Sequence, residues 1–275
     1  MSPTGASPPS RRGSYPSSSA TMEPFPAPRP GPPAAGTPVG GDAAALERLR
    51  VRRDEIRQRV ASACADSGRD PSAVRIVPAT KGREVAYLDA LYALGLRSFG
   101  ESRISELARK RRARPDYSFE FIGRFRAEDA GLLARQTVRV HSVCARDQAV
   151  ALDAAARGEG RRLAVLLQVN LADDPRKQGL READALAWVR PWPFDHLAMH
   201  GIMVIGPAEG DPDAVATVFQ RGAHLFRLLR EELGPGVDAL SMGMSEDFEL
   251  AVRAGATDLR IGRYLADAWA APAPG

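Results

Sequence analysis

Residues 75–100 read RIVPATKGREVAYLDALYALGLRSFG, and this stretch indicates the fold class. Its first part, Arg75–Thr80, is an apolar and β-branched run that is typical of a buried strand. A segment with helical spacing of apolar residues follows at 84–94, and a second short strand is predicted at Leu96–Phe99. A strand, a helix and a strand in this order form a βαβ unit, which builds a parallel sheet.

The same alternation continues to the end of the chain. Eight strands are predicted, at Arg75–Thr80, Leu96–Phe99, Phe119–Gly123, Val138–Val143, Leu163–Asn170, Leu197–Ile205, Val237–Met242 and Asp258–Ile261. Helical patterns follow them near 84–94, 101–112, 127–135, 145–157, 181–190, 212–233, 246–254 and 263–270. Eight units favour a single closed (β/α)₈ barrel of the TIM type over a doubly wound open sheet, which usually has fewer strands.

The chain before the barrel divides into two parts. Residues 1–41 are rich in Pro, Gly, Ser and Ala and have few aliphatic side chains, so we expect a disordered tail. Regular structure is predicted to begin near Asp42, a suitable helix N-cap, and an extra N-terminal helix should stop near Ser67-Gly68. The sequence thus predicts one folded domain, residues 42–275.

Composition argues against several classes of protein. The formal net charge is +4, but three arginines and one glutamate within residues 1–41 supply half of it, so we expect no nucleic-acid partner. The basic run Arg109–Arg114 is interpreted as the solvated end of a helix. No apolar stretch approaches the roughly 18 residues of a membrane span. The cysteines and histidines lack metal-ligand spacing, so we expect no metal and a cytoplasmic protein.

Lys81 stands at the end of the first predicted strand, immediately before Gly82. In barrels of this kind the reactive groups lie at the carboxyl ends of the strands and in the loops that follow. A lysine that is desolvated at an apolar barrel mouth can act as a neutral, nucleophilic amine. The alternative is a lysine that extends into solvent from a strand end, and position alone does not decide between the two.

Two loops of small residues near the end of the chain are candidates for a phosphate site. One is Ser241-Met242-Gly243-Met244-Ser245, after the seventh strand, and the other is Arg260-Ile261-Gly262, at the end of the eighth. Loops at these places commonly bind phosphate through free amides and hydroxyl groups, although ordinary turns use the same residues. A lysine that faces such a site would suit a phosphorylated aldehyde held as a Schiff base, which is one way in which pyridoxal 5′-phosphate (PLP) is bound.

Seven motifs, in order along the chain, carry a resemblance to a known family. They are Ala79-Thr80-Lys81, Ser98-Phe99-Gly100-Glu101-Ser102-Arg103, Phe121-Ile122-Gly123, Leu167-Gln168-Val169-Asn170, Gly201-Ile202-Met203, Leu240-Ser241-Met242-Gly243-Met244-Ser245 and Arg260-Ile261-Gly262. In this register, residues 43 to 266 resemble the pyridoxal phosphate homeostasis proteins, which have the fold of the alanine racemase N-terminal barrel. The second motif is similar to the version found in actinobacterial members.

The resemblance implies a PLP-binding protein that influences the cell's supply of free PLP, usually without convincing turnover. Lys81 matches the lysine that holds PLP as a Schiff base in this family. The other cofactor-binding residues that the resemblance implies are Ser102, where many members carry an asparagine near the cofactor ring, Ser241, Gly243, Met244 and Ser245 in one phosphate-side loop, and Arg260 and Gly262 in the second. PLP-dependent enzymes are candidate clients, and we expect a monomer or weak dimer.

Three segments depart from the family pattern. After Gly123 the family commonly has Gln-x-Asn-Lys, whereas this chain has Phe-Arg-Ala-Glu-Asp at 125–129. After Gly262 the family usually has Thr or Ser, and here Arg263 could replace that hydroxyl at the phosphate, point to solvent or crowd the site. Residues 264–267 also lack the usual small, glycine-containing ending.

Two other functions fit the same residues: a PLP-dependent amino-acid racemase, and a degenerate barrel that has lost PLP. Racemisation needs a second base across the cofactor plane. In the alanine racemases that share this fold, the second base is a tyrosine from a second domain of the partner subunit, whereas this chain ends at Gly275, soon after the last predicted helix. Only Tyr264 is predicted near the barrel mouth. We therefore expect a PLP carrier without efficient catalysis.

Overall fold

The computed structural model describes residues 43–207 and 211–270, in which strands and helices alternate. The strands are β1 Arg75–Pro78, β2 Ser98–Glu101, β3 Ser118–Phe121, β4 Arg139–Val143, β5 Leu163–Val169, β6 Leu197–Val204, β7 Ala239–Ser241 and β8 Asp258–Ile261. The helices are α1 Ala43–Asp66, α2 Val85–Ala93, α3 Ile104–Ala113, α4 Ala130–Gln136, α5 Arg146–Gly158, α6 Glu182–Trp188, α7 Pro212–Leu233, α8 Phe248–Ala254 and α9 Arg263–Ala270. Short 3₁₀ helices cover Pro71–Ala73 and Ala127–Asp129.

The eight strands form one parallel sheet in the order β1-β8-β7-β6-β5-β4-β3-β2. The sheet curls so that β1 pairs with β8 along its whole length. The remaining gap, between β1 and β2, is bridged where Ala79 pairs with Gly100 and the Thr80 N–H donates to the Gly100 carbonyl at 2.8 Å. The sheet is therefore a nearly closed α/β barrel, and the predicted fold is confirmed.

The N-terminal helix α1 lies outside the strand and helix alternation. It buries one face, which includes Leu49, Ile56 and Val60, and packs against α8 and α9, the last helices of the barrel. This confirms the extra helix predicted from the sequence. The predicted N-cap Asp42 and the predicted tail at 1–41 lie outside the described residues.

Most predicted elements agree with the structure to within a few residues, and the second strand shows why the remainder differ. The prediction started it at Leu96, but the Leu96 N–H donates to the carbonyl of Leu91 at 3.0 Å and so completes the end of α2. The ladder to β3 begins only at Ser98, and β2 then runs on to Glu101. An apolar run alone does not reveal which hydrogen bonds its backbone makes.

No helix in the described residues is long and apolar enough to cross a membrane. Within those same ranges, no group of three or more His, Cys, Asp or Glu side chains could hold a metal ion.

Candidate functional site

The parallel barrel brings the carboxyl ends of β1, β2, β7 and β8 to one edge, and the predicted site residues lie in the last residues of these four strands or in the loops that follow them. The Ala79 N–H donates to the Ile261 carbonyl at 2.9 Å, so the chain leaving β1 lies beside the chain leaving β8. A Cβ on Gly262 would lie 3.6 Å from the Cβ of Ala79. The structure thus brings the turn that carries Lys81 next to the second of the two loops that the sequence predicts as a phosphate site.

Lys81 is exposed in a turn directly after β1. The Arg83 N–H donates to the Thr80 carbonyl at 3.1 Å, and Gly82 has a φ of +70°, in the left-handed region that favours glycine. Within the described residues, the Lys81 amine makes no hydrogen bond or ion pair. The turn therefore presents this amine at the barrel mouth without engaging it.

Ser102, which follows β2, is partly buried, and its N–H donates to Glu101 Oε1 at 2.7 Å. The backbone of Gly123, after β3, passes so close that a Cβ there would lie 2.1 Å from the Ser102 carbonyl oxygen. Only a glycine allows this approach, which explains the last residue of the Phe121-Ile122-Gly123 motif. In the following segment, which departs from the family pattern, Phe125 is buried and its carbonyl accepts a hydrogen bond from Gln148 at 2.8 Å, whereas Arg126 and Glu128 are exposed.

The loops after β7 and β8 contact each other at the barrel mouth. The Arg260 N–H donates to the Gly243 carbonyl at 3.0 Å, and the Tyr264 N–H donates to Ser245 Oγ at 3.3 Å. Gly243 has a φ of +91°, and a Cβ there would lie 2.6 Å from the Cβ of Ala251, so glycine is required. The two predicted phosphate-side loops thus form one surface.

Backbone donors on this surface are free. Among the described residues, no protein group accepts a hydrogen bond from the amides of Gly243, Ser245 and Gly262. The Met244 amide differs, because it donates to Asp247 Oδ1 at 2.6 Å while its side chain is exposed. Three free amides and the Ser245 hydroxyl are a set of donors that fits a phosphate group.

Ser241 and Arg260 lie inside the barrel. Arg260 Nη1 donates to Ser241 Oγ at 2.8 Å, and Nη2 donates to the Val204 carbonyl at 2.9 Å. Burial lowers the pKa of Arg260 to about 10, although the carboxylates of Asp247 and Asp258 oppose this shift. The guanidinium is thus charged at neutral pH, and Ser241 is one of the groups that satisfy it.

His141 and Glu120 continue this chain of hydrogen bonds. His141 Nδ1 lies 3.0 Å from Ser241 Oγ, and its Nε2 lies 2.6 Å from Glu120 Oε2. Burial lowers the pKa of His141, although the Glu120 carboxylate opposes this, so the neutral ring is favoured. We assign the ring proton to Nε2, because the glutamate can only accept and Ser241 can then donate to Nδ1.

Further charges surround Glu120 in the barrel interior. Its carboxylate accepts hydrogen bonds from Arg75 at 3.1 Å and from Ser98 at 2.5 Å. Burial alone would raise its pKa, but Arg75, the His141 hydrogen bond and Arg139 hold the pKa well below its ordinary value. Asp258 contacts the same two arginines. The buried network therefore consists of ionised carboxylates matched by guanidinium groups.

Glu120 and His141, which support these site residues, were not predicted from the sequence. A signal was available, since each is a polar residue between two apolar or small neighbours in a strand of a barrel, where successive side chains alternate between the inside and the outside. Glu101 and Lys110, which are also fully buried, belong to a second polar cluster beside the Lys81 turn.

Arg263, the departure after Gly262, extends away from the loops. It forms an ion pair with Glu246, and both side chains are about three-quarters exposed, at 75% and 74%. The sequence left three arrangements possible for this arginine, and the structure has the one in which it points to solvent.

Comparison with known proteins supports this architecture. The model of the family described as the alanine racemase N-terminal domain matches residues 51–266. A pyridoxal phosphate homeostasis protein of Aquifex aeolicus is 30% identical over 225 residues, which are 80% of this chain and 96% of that protein. One from Synechocystis is 33% identical over 199 residues, which are 71% of this chain and 91% of that protein.

Solved structures agree. PipY of Synechococcus elongatus with PLP bound is 28% identical and superimposes with a TM-score of 0.66, over 76% of this chain and 99% of that one. A D-threonine aldolase from Filomicrobium marinum shares the fold alone. It is 17% identical and has a TM-score of 0.64, over 84% of this chain and 64% of the aldolase chain. The resemblance carried by the seven motifs is confirmed, and the chain belongs to the pyridoxal phosphate homeostasis protein family, built on the alanine racemase N-terminal barrel.

Proposed function

We propose that this protein binds PLP at the carboxyl end of its barrel, holds it as a Schiff base on Lys81, and serves PLP homeostasis without efficient catalysis. The observation that carries the proposal is the cluster of free amides at Gly243, Ser245 and Gly262 beside the Lys81 turn. Such a cluster suits the phosphate of a ligand whose aldehyde reaches the lysine. PipY, which shares the fold and family, has been solved with PLP bound.

The assignment of the Schiff base to Lys81 rests on a comparison of the chain's three lysines. Lys110 is fully buried and makes three hydrogen bonds. Lys177 donates to the Gly206 carbonyl at 2.5 Å and lies 3.6 Å from Asp174. Lys81 alone is exposed with an unengaged amine among the described residues.

Each site residue then has a defined task. Bound PLP supplies a dianionic phosphate and an aldehyde carbon that an amine can attack. The neutral amine of Lys81 would add to that carbon, with loss of water. The amides and the Ser245 hydroxyl would bind the phosphate, and Ser102 would face the ring from the β2 side. Arg260 would present a charged guanidinium from the barrel interior, where Ser241 Oγ and the Val204 carbonyl bind it.

The cellular setting is part of the same proposal. Both cysteines, Cys64 and Cys144, are free thiols, as a reducing cytoplasm favours. We place the function there, with PLP-dependent enzymes as the recipients of the cofactor and with a monomer or weak dimer as the working form.

Absorbance and borohydride trapping test the proposal together. Protein purified in the presence of PLP should be yellow, and reduction with borohydride should fix a phosphopyridoxyl group on the peptide that contains Lys81. Pyridoxal without phosphate should bind more than tenfold more weakly, because each charge-assisted hydrogen bond contributes about 1.5–3 kcal/mol. A colourless protein, with no trapped adduct after incubation with excess PLP, would instead support the degenerate barrel.

A further inference from the structure

A fully buried lysine lies next to the proposed PLP site but does not belong to it. Lys110, in α3, exposes none of its surface. Its ammonium donates to Glu101 Oε2 at 2.5 Å, to the Thr80 carbonyl at 2.6 Å and to Glu106 Oε2 at 3.0 Å. An ammonium has three N–H donors, so every donor of Lys110 is used.

The partners of this ammonium bracket Lys81 on both sides. Thr80, whose carbonyl Lys110 binds, immediately precedes Lys81. Gly82 immediately follows it, and its N–H donates to Glu106 Oε2 at 2.6 Å, the same oxygen that Lys110 contacts. The backbone is thus tied to α3 on either side of Lys81, whereas the Lys81 side chain is left unengaged.

The third partner extends the cluster to the next strand. Glu101, at the end of β2, is also fully buried, and its Oε1 accepts hydrogen bonds from the amides of Ser102 at 2.7 Å and Arg103 at 3.3 Å. Its other oxygen, Oε2, binds Lys110 and the hydroxyl of Thr80 at 3.2 Å. One cluster therefore holds the turns after both β1 and β2.

Stability alone gives a weak reason for such an arrangement. Burial of an ammonium and a carboxylate carries a desolvation cost of several kcal/mol, and apolar residues of the same volume often leave a protein as stable or more so. A buried ionic cluster that reaches the backbone on both sides of one exposed lysine is better explained by the position that it imposes on that lysine.

We propose that Lys110, Glu101 and Glu106 are positioning residues for Lys81: they hold the Thr80–Gly82 turn so that its amine stays directed at the cofactor aldehyde. This inference rests on the proposed function, in which Lys81 binds PLP. Because the turn is already ordered, less conformational entropy is lost when the Schiff base forms.

The decisive variants change Glu106, whose side chain is 15% exposed and whose removal leaves the buried Lys110–Glu101 pair intact. Glu106→Ala removes the acceptor of the Gly82 amide, whereas Glu106→Gln keeps an acceptor oxygen at that place. The matched control is Asp89→Ala, since Asp89 pairs at 2.5 Å with Arg114, the residue after α3, and likewise ties α2 to the end of α3 away from Lys81. Lys110→Met tests the ammonium itself.

Two measurements separate positioning from simple stability. The first is hydrogen exchange of the Gly82 amide in protein without PLP. The second is the rate of PLP attachment to Lys81, measured by reducing samples with borohydride at successive times and determining the mass of the Lys81 peptide. We expect Glu106→Ala to speed the exchange and to slow attachment at least about fivefold, roughly 1 kcal/mol. Glu106→Gln should restore most of the rate, and Asp89→Ala should leave both measurements unchanged.

The outcomes distinguish the two proposals. No attachment at Lys81 in the unaltered protein would overturn the proposed function and this inference with it. Normal attachment in the unaltered protein together with an equal rate in Glu106→Ala would overturn the inference alone, even if the exchange becomes faster. If Lys110→Met does not fold, the Glu106 variants decide the question by themselves.

Discussion

The hydroxyl oxygen of Ser241 accepts a hydrogen bond from Nη1 of Arg260 at 2.8 Å, in the interior of the barrel. Both residues are buried, and the serine also lies 3.0 Å from His141 Nδ1. Ser241 thus supports an arginine from below, while Ser245, in the same motif, keeps its hydroxyl at the barrel mouth. Two serines that look alike in the sequence therefore have different surroundings.

These surroundings predict opposite effects for two alanine substitutions. Ser241→Ala should destabilise the fold by about 1–3 kcal/mol, because it removes the buried partner of Arg260 Nη1 and of His141 Nδ1. Ser245→Ala should cost less than about 1 kcal/mol of stability, because the partly buried hydroxyl accepts one long hydrogen bond, from the Tyr264 N–H at 3.3 Å, but it should weaken PLP binding. Urea unfolding without PLP and titration with PLP measure the two effects. The reverse pattern would contradict the assignment.

Lys81→Ala should abolish the adduct that borohydride fixes, with little loss of stability, because the side chain is exposed and makes no contact that completes the core. Lys177→Ala is the matched control, and it should retain the adduct, since the Lys177 amine is bound to the Gly206 carbonyl. Peptide mass spectrometry after reduction gives the result. An adduct that survives in Lys81→Ala and disappears in Lys177→Ala would show that the wrong lysine has been chosen.

Arg263 should be nearly irrelevant to PLP affinity. Its guanidinium is exposed and pairs with Glu246, so Arg263→Ala should change the dissociation constant by less than about twofold, within the small range of surface ion pairs. Arg263→Thr, which restores the hydroxyl usual in the family, should bind PLP at least as tightly. A loss of more than tenfold in Arg263→Ala would show that this side chain turns inward to the phosphate when the ligand binds.

Stability should fall on mild acidification because of His141. Burial lowers its pKa below the ordinary 6.5, so under acid conditions the unfolded chain binds a proton that the folded protein does not. The free energy of unfolding therefore decreases as the pH falls through about 6.5, before the buried carboxylates, whose pKa values are also lowered, begin to titrate.

Melting temperatures between pH 8 and pH 5 test this effect. His141→Gln should show a shallower decrease than the unaltered protein, whatever its absolute stability. His224→Gln is the control, because His224 is exposed, and it should keep the original slope. Equal slopes in all three proteins would mean that another group is responsible.

Exchange of the α-proton of amino acids in D₂O should be slower than about 1 s⁻¹, the lower end of typical enzyme turnover. Tyr264, the tyrosine predicted near the mouth, is held against α1 instead: its hydroxyl lies 3.4 Å from Glu55 and its ring stacks under Arg52. It is therefore not placed to act as a second base. L-Alanine incubated with PLP-loaded protein and followed by NMR gives the rate, and a faster exchange would favour the racemase.

The sequence by itself determined the architecture and the family. Alternating apolar strands and amphipathic helices leave few arrangements other than a parallel barrel, because each strand must be buried on both faces and each helix on one. The rule that barrel chemistry lies after the strands then selected Lys81 and the loops of Gly243 and Gly262, and the structure brings these segments to one edge.

Only the tertiary structure decided how those residues are supported. His141 lies 21 residues after Glu120 and 100 residues before Ser241 in the chain, and Lys110 reaches back 30 residues to Thr80. Their contacts exist because curling the sheet places inward side chains from different strands within hydrogen-bond distance, where low polarity makes each unpaired group costly. Periodicity along the chain records which face a side chain occupies, but it does not record which side chain it meets there.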